Sequence, residues 1–305
     1  MNIHVPSNAG LSKQKCDEVL GWEVHREPLQ LPDGTRVDSH FANIRMVDGE
    51  PHVLGVVGKG YEVIQNSEML EMAESLRQKH RLRFSYVGII GNGERVFFQC
   101  AAESYSVGGG DEVVPYMMFA NSHDGTMSCR MTPMTERIAC SNQLANIART
   151  KENWVSIRHS GDVSTKLDEV GRLGKYFLTA SAENRQLMIR LRNRAVNTRK
   201  LTEFFRTLYS QHYGVFSVNP KDESEDRAKS RAAKGFEAYK NRFDAEVSIA
   251  GASAWNMANA YTGWLQHDRG RGRNPDRSAY RRLVSSLFGV LGHRSVEAFQ
   301  LAQNF

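Results

Sequence analysis

The apolar residues of this chain change their period twice, and that change limits the fold more than any single motif does. NSEMLEMAESLRQKH, residues 66–80, carries Met69, Leu70, Ala73 and Leu76 at helical spacing, with Asn66 or Ser67 as the cap. It ends in Arg77, Lys79 and His80, cations that suit a helix C-terminus. The period then drops to two. FSYVGII and RVFFQCAAE flank Gly91-Asn92-Gly93-Glu94, a hairpin turn whose glycines and asparagine accept positive φ. EVVPYMMFANS is a third strand, in which Pro115 implies an edge position or a bulge. MSCRMTPMTERIAC is a fourth extended stretch, and Ser141 or Asn142 can cap a short helix reaching Arg149. From Asp162 onward the helical period returns and persists almost to the end.

Upstream of residue 60 the chain reads as short strands and turns. LQLPDGTRVDSHFANIRM has a Pro-Asp-Gly turn between two candidate strands, and LGVVGKGYEVI is β-rich. The expected architecture is α+β. An N-terminal antiparallel β-sheet domain with a β-β-β-α-like core spans 1–160, and a mostly helical, basic region spans 161–305. A chain of 305 residues is long enough for this. No apolar run approaches the roughly 18–20 residues of a membrane span, and MNIHVPSNAGLSKQK lacks the apolar centre of a secretory signal. The expected location is the cytoplasm.

Charge divides unevenly. Residues 1–150 hold 14 Lys/Arg against 18 Asp/Glu, and residues 151–305 hold 26 against 16. A balance of +10 in the second half suits a polyanionic partner, although a helical region with arginine on its solvated surface reads the same way. Cys16, Cys100, Cys129 and Cys140 form no C-x-x-C pair, so neither a zinc ribbon nor a disulfide framework is expected. Gly108 to Gly110 is a loop tip; it lacks the Lys-Ser/Thr and the following helix of a phosphate loop. No cofactor and no resident metal are expected.

The segment NSHDGTMSCRMTPMTERIACSNQL, residues 121–144, admits several readings. His123 and Asp124, joined by His159, would be the ligands of a metal-dependent nuclease. His-Asp-Gly is equally a turn, with the Asp bonding its own backbone and Gly125 in the left-handed region. In extended geometry Ser128, Arg130 and Thr132 share one face and Met127, Cys129 and Met131 the other. Arg137, Arg149, Lys151, Trp154, Arg158 and His159 follow within thirty residues. Guanidinium forks bind phosphate oxygens, and Trp154 or Tyr105 would stack on an unpaired base. Two further basic features point the same way. Arg185, Arg192, Arg199 and Arg206 recur every seven residues, one stripe if Asn197-Thr198 does not restart the helix. HDRGRGRNPDR puts Arg271 and its neighbours on a loop able to follow a backbone.

LGVVGKGYEVIQN, NSHDGT, RIACSNQL, IRHSGD and AWNMANAYTGWLQHDRGRG occur in this order over most of the chain. As a set they resemble the phage/plasmid-like proteins, a family of unknown function carried by bacteriophages and plasmids. In that family Arg-Val-Val-Cys-Asn-Thr-Leu stands where this chain has Arg137-Ile138-Ala139-Cys140-Ser141-Asn142-Gln143-Leu144, offset by a serine. The resemblance implies a mobile-element setting inside a bacterial cell. The order helix, hairpin, strands, helix is similar to the core of single-strand annealing recombination proteins, which assemble as rings or filaments around single-stranded DNA. The expected function is therefore non-enzymatic single-stranded DNA binding or annealing by a homo-oligomer. The alternatives are the nuclease, or a module that binds and blocks a host defence protein.

Overall fold

The structure is a computed structural model. It describes residues 3–4, 11–137, 142–145, 155–160, 170–214, 223–269, 281–282, 284–287 and 289–305. The chain is α+β, with antiparallel sheets first and helices after them. It divides into two compact units that are discontinuous in sequence. One comprises 1–103, 115–134 and 150–180, and the other 104–114, 135–149 and 181–305.

In the first unit Ser12 caps α1 (Lys13–Leu20) by accepting a hydrogen bond from Lys15 N at 3.1 Å. A three-stranded meander follows: β2 (His25–Gln30), β3 (Arg36–Val47) and β4 (Glu50–Gly58). The β3–β4 turn is Asp48-Gly49 with φ of 52° and 85°, the mirror-image turn whose twist matches a hairpin. The second helix, α2, spans Asn66–His80 as the periodicity requires, but its cap is Gln65. The Glu68 carboxylate accepts from Gln65 N at 2.6 Å, while the Gln65 amide pairs with both backbone groups of Val24. Asn66 is thereby released for another role.

The larger sheet runs β1 (Ile3–His4), β5 (Arg83–Ile90), β6 (Arg95–Ala101), β8 (Asp111–Ser122), β9 (Cys129–Arg137), β10 (Asn142–Ala145). In addition β7 (Tyr105–Gly108) pairs with β8, and β11 (Val155–Ile157) with β9. The expected hairpin at residues 91–94 is present, and Gly108 to Gly110 form the tip of another. Pro115 lies in an interior strand, not at an edge. β6 pairs Ala101 with Tyr116 and β7 pairs Tyr105 with Val113, so Pro115 sits where β8 passes from one partner to the other and a missing N–H is tolerated. The helix expected from Ser141 or Asn142 is corrected over Asn142–Ala145, which is strand paired to β9; residues 146–150 lie outside the described ones. Four residues carry too little period to distinguish the two states, and sheet pairing decides.

Phe84, Phe98 and Phe119 form the centre of this unit, with Phe98 stacked on Phe119 at 4.7 Å between ring centroids. Met69, Leu70, Ala73 and Leu76 of α2 and Cys16, Val19 and Leu20 of α1 belong to the same apolar core.

The helical elements are α3 (Val170–Arg192), α4 (Thr198–Tyr213), α5 (Glu223–Ala250), α6 (Ala254–Gly263) and α7 (Val290–Ala302). The last turn of α6 widens into a π-turn, Trp264–Asp268, closed by Arg269 N on Trp264 O at 2.9 Å. Every residue of α6 is buried, as a helix without a polar face must be. Its polar side chains are bonded accordingly. Asn256 Nδ2 donates to Glu246 O at 3.0 Å, Asn259 Nδ2 to Trp255 O at 2.9 Å, and Trp255 Nε1 to Asp111 Oδ2 at 2.8 Å. Tyr261 of α6 packs ring on ring with Phe205, Tyr239 and Trp264. Among the described residues no helix is long and apolar enough to cross a membrane.

Phe98 is fully buried between two other rings. Phe98→Ala should therefore lower the unfolding free energy by about 3–5 kcal/mol in a denaturant titration, with the helical elements still present by circular dichroism.

Candidate nucleic-acid interface

The alternation read in β9 is realised. Cys129 and Met131 are buried, and Ser128, Arg130 and Thr132 are half-buried on the opposite face. β11 pairs antiparallel to this strand, setting Ser156 opposite Arg130 and Ile157 opposite Cys129. Cross-strand partners share a face, so Ser156 joins the polar side and Ile157 the core. Ser128 Oγ and Ser156 Oγ are 2.7 Å apart, and Arg130 Nε donates to Ser128 Oγ at 3.2 Å. Arg158 follows directly and is exposed. Two hydroxyls and the Arg130 guanidinium thus gather from segments 28 residues apart, with the exposed Arg158 next in the chain, an arrangement able to donate hydrogen bonds to an anionic backbone.

His159 departs from this face. It is buried, its ring stacks on Tyr61 at 4.5 Å, and its Nδ1 is 3.0 Å from Glu62 O. Glu62 N in turn donates to His159 O at 2.8 Å. The IRHSGD phrase therefore splits, with Arg158 outward and His159 fastened to the segment that precedes α2. Burial holds the His159 pKa below its ordinary value.

NSHDGT is a turn, and each polar side chain in it has a structural task. Asn121 Nδ2 donates to Ile64 O at 2.9 Å. Ser122 Oγ accepts from Met127 N at 3.0 Å and donates to Met127 O at 2.8 Å, closing the loop. Asp124 Oδ1 accepts from Thr126 N at 2.9 Å, the Asx-turn that the sequence implies, with Gly125 at φ +74°. Gly55 of β4 lets the turn approach, because a Cβ there would stand 2.5 Å from the Asp124 Cα. His123 is buried with Nε2 at 3.0 Å from Asn66 Oδ1. Asn66 Nδ2 faces Trp22 O at 3.3 Å, so its oxygen must face the ring, and the imidazole is the neutral tautomer protonated on Nε2. Asn43 Nδ2 donates to His123 O at 2.7 Å. Burial, reinforced by the nearby His159, lowers the His123 pKa to about 3. Among the described residues no three His, Cys, Asp or Glu side chains gather as a metal site would require.

The remaining basic residues are spread over other elements. Arg192 ends α3 half-buried, with its guanidinium against Gly109 of the β7–β8 tip. Arg185 lies over the Tyr105 ring at 5.1 Å. Arg199 and Arg206 are exposed on α4, which Asn197 starts afresh by accepting from Lys200 N at 3.0 Å. The seven-residue series is therefore two pairs on two helices, the break coming at Asn197-Thr198. Arg137 belongs to β9, and its side chain lies outside the described set. Arg149, Lys151, Trp154 and Arg271 also lie outside the described residues. Sequence reasoning missed Asn43 and Asn66. A buried histidine needs a partner for its N–H, but nothing local in the chain names that partner.

The neutral His123 makes stability pH-dependent. Its pKa is about 3 when folded against 6.5 as a free group, so the unfolded chain takes up the proton first. The contribution is complete above pH 6.5 and declines as pH falls, by about 2 kcal/mol between pH 6.5 and 5. Denaturant midpoints over this range should fall more steeply for wild type than for His123→Gln.

Comparison with curated proteins and with solved structures gives no match. Residues 53–288 match the family described as Domain of unknown function (DUF932), from β4 through the π-turn and beyond. Over three quarters of its length, then, this chain is a member of the DUF932 family.

Proposed function

We propose that this protein binds single-stranded DNA without cleaving it, as an annealing or protecting protein of a phage or plasmid. The observation that carries the reading is the polar face of β9 and β11. Arg130 is joined there to Ser128 and Ser156, the exposed Arg158 follows β11 directly, and the apolar sides of the same strands are sealed into the core. Donors directed at phosphate oxygens leave bases free to pair, which annealing requires and base-specific contacts would hinder. The setting in a mobile element and the role in recombination or replication rest on the family phrases and on element order. The surplus of cations in the second half of the chain supports the same class of partner.

A homo-oligomer fits one further observation. Met46, Val53 and Val56 on β3 and β4 are all about half exposed, an apolar patch on a sheet that a second copy would cover. Light scattering should then give a multiple of 34.4 kDa for wild type and a smaller assembly for Val53→Lys with Val56→Lys. A wild-type monomer would remove self-assembly from the proposal and turn attention to a host protein as the occupant.

The central test is fluorescence anisotropy with a labelled single strand over a salt series. Arg130→Gln with Arg158→Gln should weaken binding by roughly tenfold or more. It should also flatten the dependence of log K on log salt by about 0.7 for each phosphate that is no longer neutralised. A wild-type protein that binds no strand at low salt, or a double variant that binds as tightly, would sink the reading.

A further inference from the structure

The helical unit holds a second concentration of cations, around Tyr213 at the end of α4. Arg269 places its guanidinium carbon 3.5 Å from the Tyr213 ring centroid, and Arg294 of α7 places its own at 4.4 Å. The two charges therefore lie within roughly 8 Å of one another, close enough to repel. Arg294 is held by neutral acceptors: Nη1 donates to Tyr213 Oη at 2.6 Å and Nη2 to His212 O at 3.3 Å. Arg269 is exposed and is held by the ring alone among the described residues, so the ring quadrupole attracts it while its N–H donors stay available.

Of the carboxylates nearby, Asp268 is neutralised by an arginine and Glu297 bonds a neutral histidine and keeps its charge, so the cluster retains a net positive balance. Asp268, next to Arg269, is gripped in a fork by Arg242 of α5. Glu297 is 2.7 Å from His212 Nε2, and His212 Nδ1 is 3.3 Å from Tyr261 Oη. Burial outweighs Glu297 and keeps the His212 pKa below its ordinary value, so His212 supplies no fixed charge at neutral pH. Arg282 acts electrostatically on His267, two residues before Arg269, and its buried Nη1 has no acceptor among the described residues. The π-turn is what delivers this geometry. Its wider ring carries the chain from the wholly buried Trp264-Leu265-Gln266 to a surface-facing Arg269 in a single turn, and such turns recur at binding sites.

We propose that Arg269 and Arg294, mounted on Tyr213, form a binding site for a phosphate group, either a free phosphate or mononucleotide or the terminal phosphate of a nucleic-acid strand. An oxyanion against the exposed Arg269 guanidinium accepts charge-assisted hydrogen bonds from donors that have no acceptor among the described residues, and the nearby Arg294 adds its charge. The tyrosine fixes both arginines in advance, so little side-chain entropy is lost on binding. This site lies in the helical unit and does not depend on the strand-binding reading of β9 and β11.

The experiment is isothermal titration of the full chain, in a buffer without phosphate, with inorganic phosphate, adenosine monophosphate, and a tetranucleotide with or without a 5′-phosphate. Wild type should bind at least one phosphate-bearing probe and prefer the phosphorylated tetranucleotide over its unphosphorylated twin. Arg269→Gln, an exposed position whose loss leaves the core intact, should weaken that binding by roughly tenfold or more, with an unchanged thermal melt. The preference for the phosphorylated tetranucleotide over its unphosphorylated twin should persist in Arg130→Gln with Arg158→Gln, whatever that variant loses in overall strand affinity. Tighter binding of inorganic phosphate or the mononucleotide identifies a small anion as the ligand, and tighter binding of the phosphorylated tetranucleotide a strand end. If no phosphate-bearing probe binds wild type, or if Arg269→Gln binds equally well, the site is refuted whatever the long single strand does.

Discussion

The hydrogen bond between His123 and Asn66 joins four parts of the first unit that are far apart in the chain. Asn66 opens α2 and also holds the carbonyl of Trp22, while the carbonyl of His123 is held by Asn43 from β3. The turn between β8 and β9 is thereby pinned to the start of a helix, to the small meander, and to the segment after α1. Such a knot forms only if the imidazole is neutral, because a buried imidazolium without a carboxylate partner costs several kcal/mol. The most distinctive phrase in the sequence is thus a fastening device. Ser122, Asp124 and Gly125 close the turn, and Gly55 clears room for it.

The same constraint shapes the helical unit in another form. A helix with no exposed residue must satisfy its polar side chains internally, and α6 does so through Asn256, Asn259 and Trp255. Where that helix widens into its π-turn, the chain passes within six residues from a dry aromatic core to a cluster of cations. The two features are mechanically linked. Trp264 lies 6.0 Å from Tyr213 on one side, while Arg269 and Arg294 sit over the same ring, so the core sets the position of the charges. Preorganised cations of this kind are the usual basis of oxyanion recognition.

Much of the local structure was legible in the residues. Gly91 and Gly93 specified their hairpin because both positions take positive φ, and 66–80 specified its helix through apolar spacing. The alternation from Met127 to Thr132 foretold which side chains of β9 face outward. Less legible were features resting on partners distant in sequence. Gln65 caps α2 in place of Asn66 because Val24 takes the Gln65 amide and His123 takes Asn66. Asn142–Ala145 is a strand because β9 offers it a ladder. The regular arginine series was a pattern of the sequence alone, interrupted where Asn197 caps a new helix.

By itself, then, the sequence determined the succession of strands and helices, the turn chemistry, the uneven charge and the family phrases. All of these depend on neighbours within a few residues or on simple counts. Only the tertiary structure decided which polar groups meet. It separated Arg158 from His159, joined Ser128 to Ser156, assigned His123 to Asn66, and set Arg269 and Arg294 on one tyrosine. The physical reason is that burial and hydrogen bonding are settled between elements. Period and propensity specify each element's faces, but the partner of a face is known only once the elements have packed.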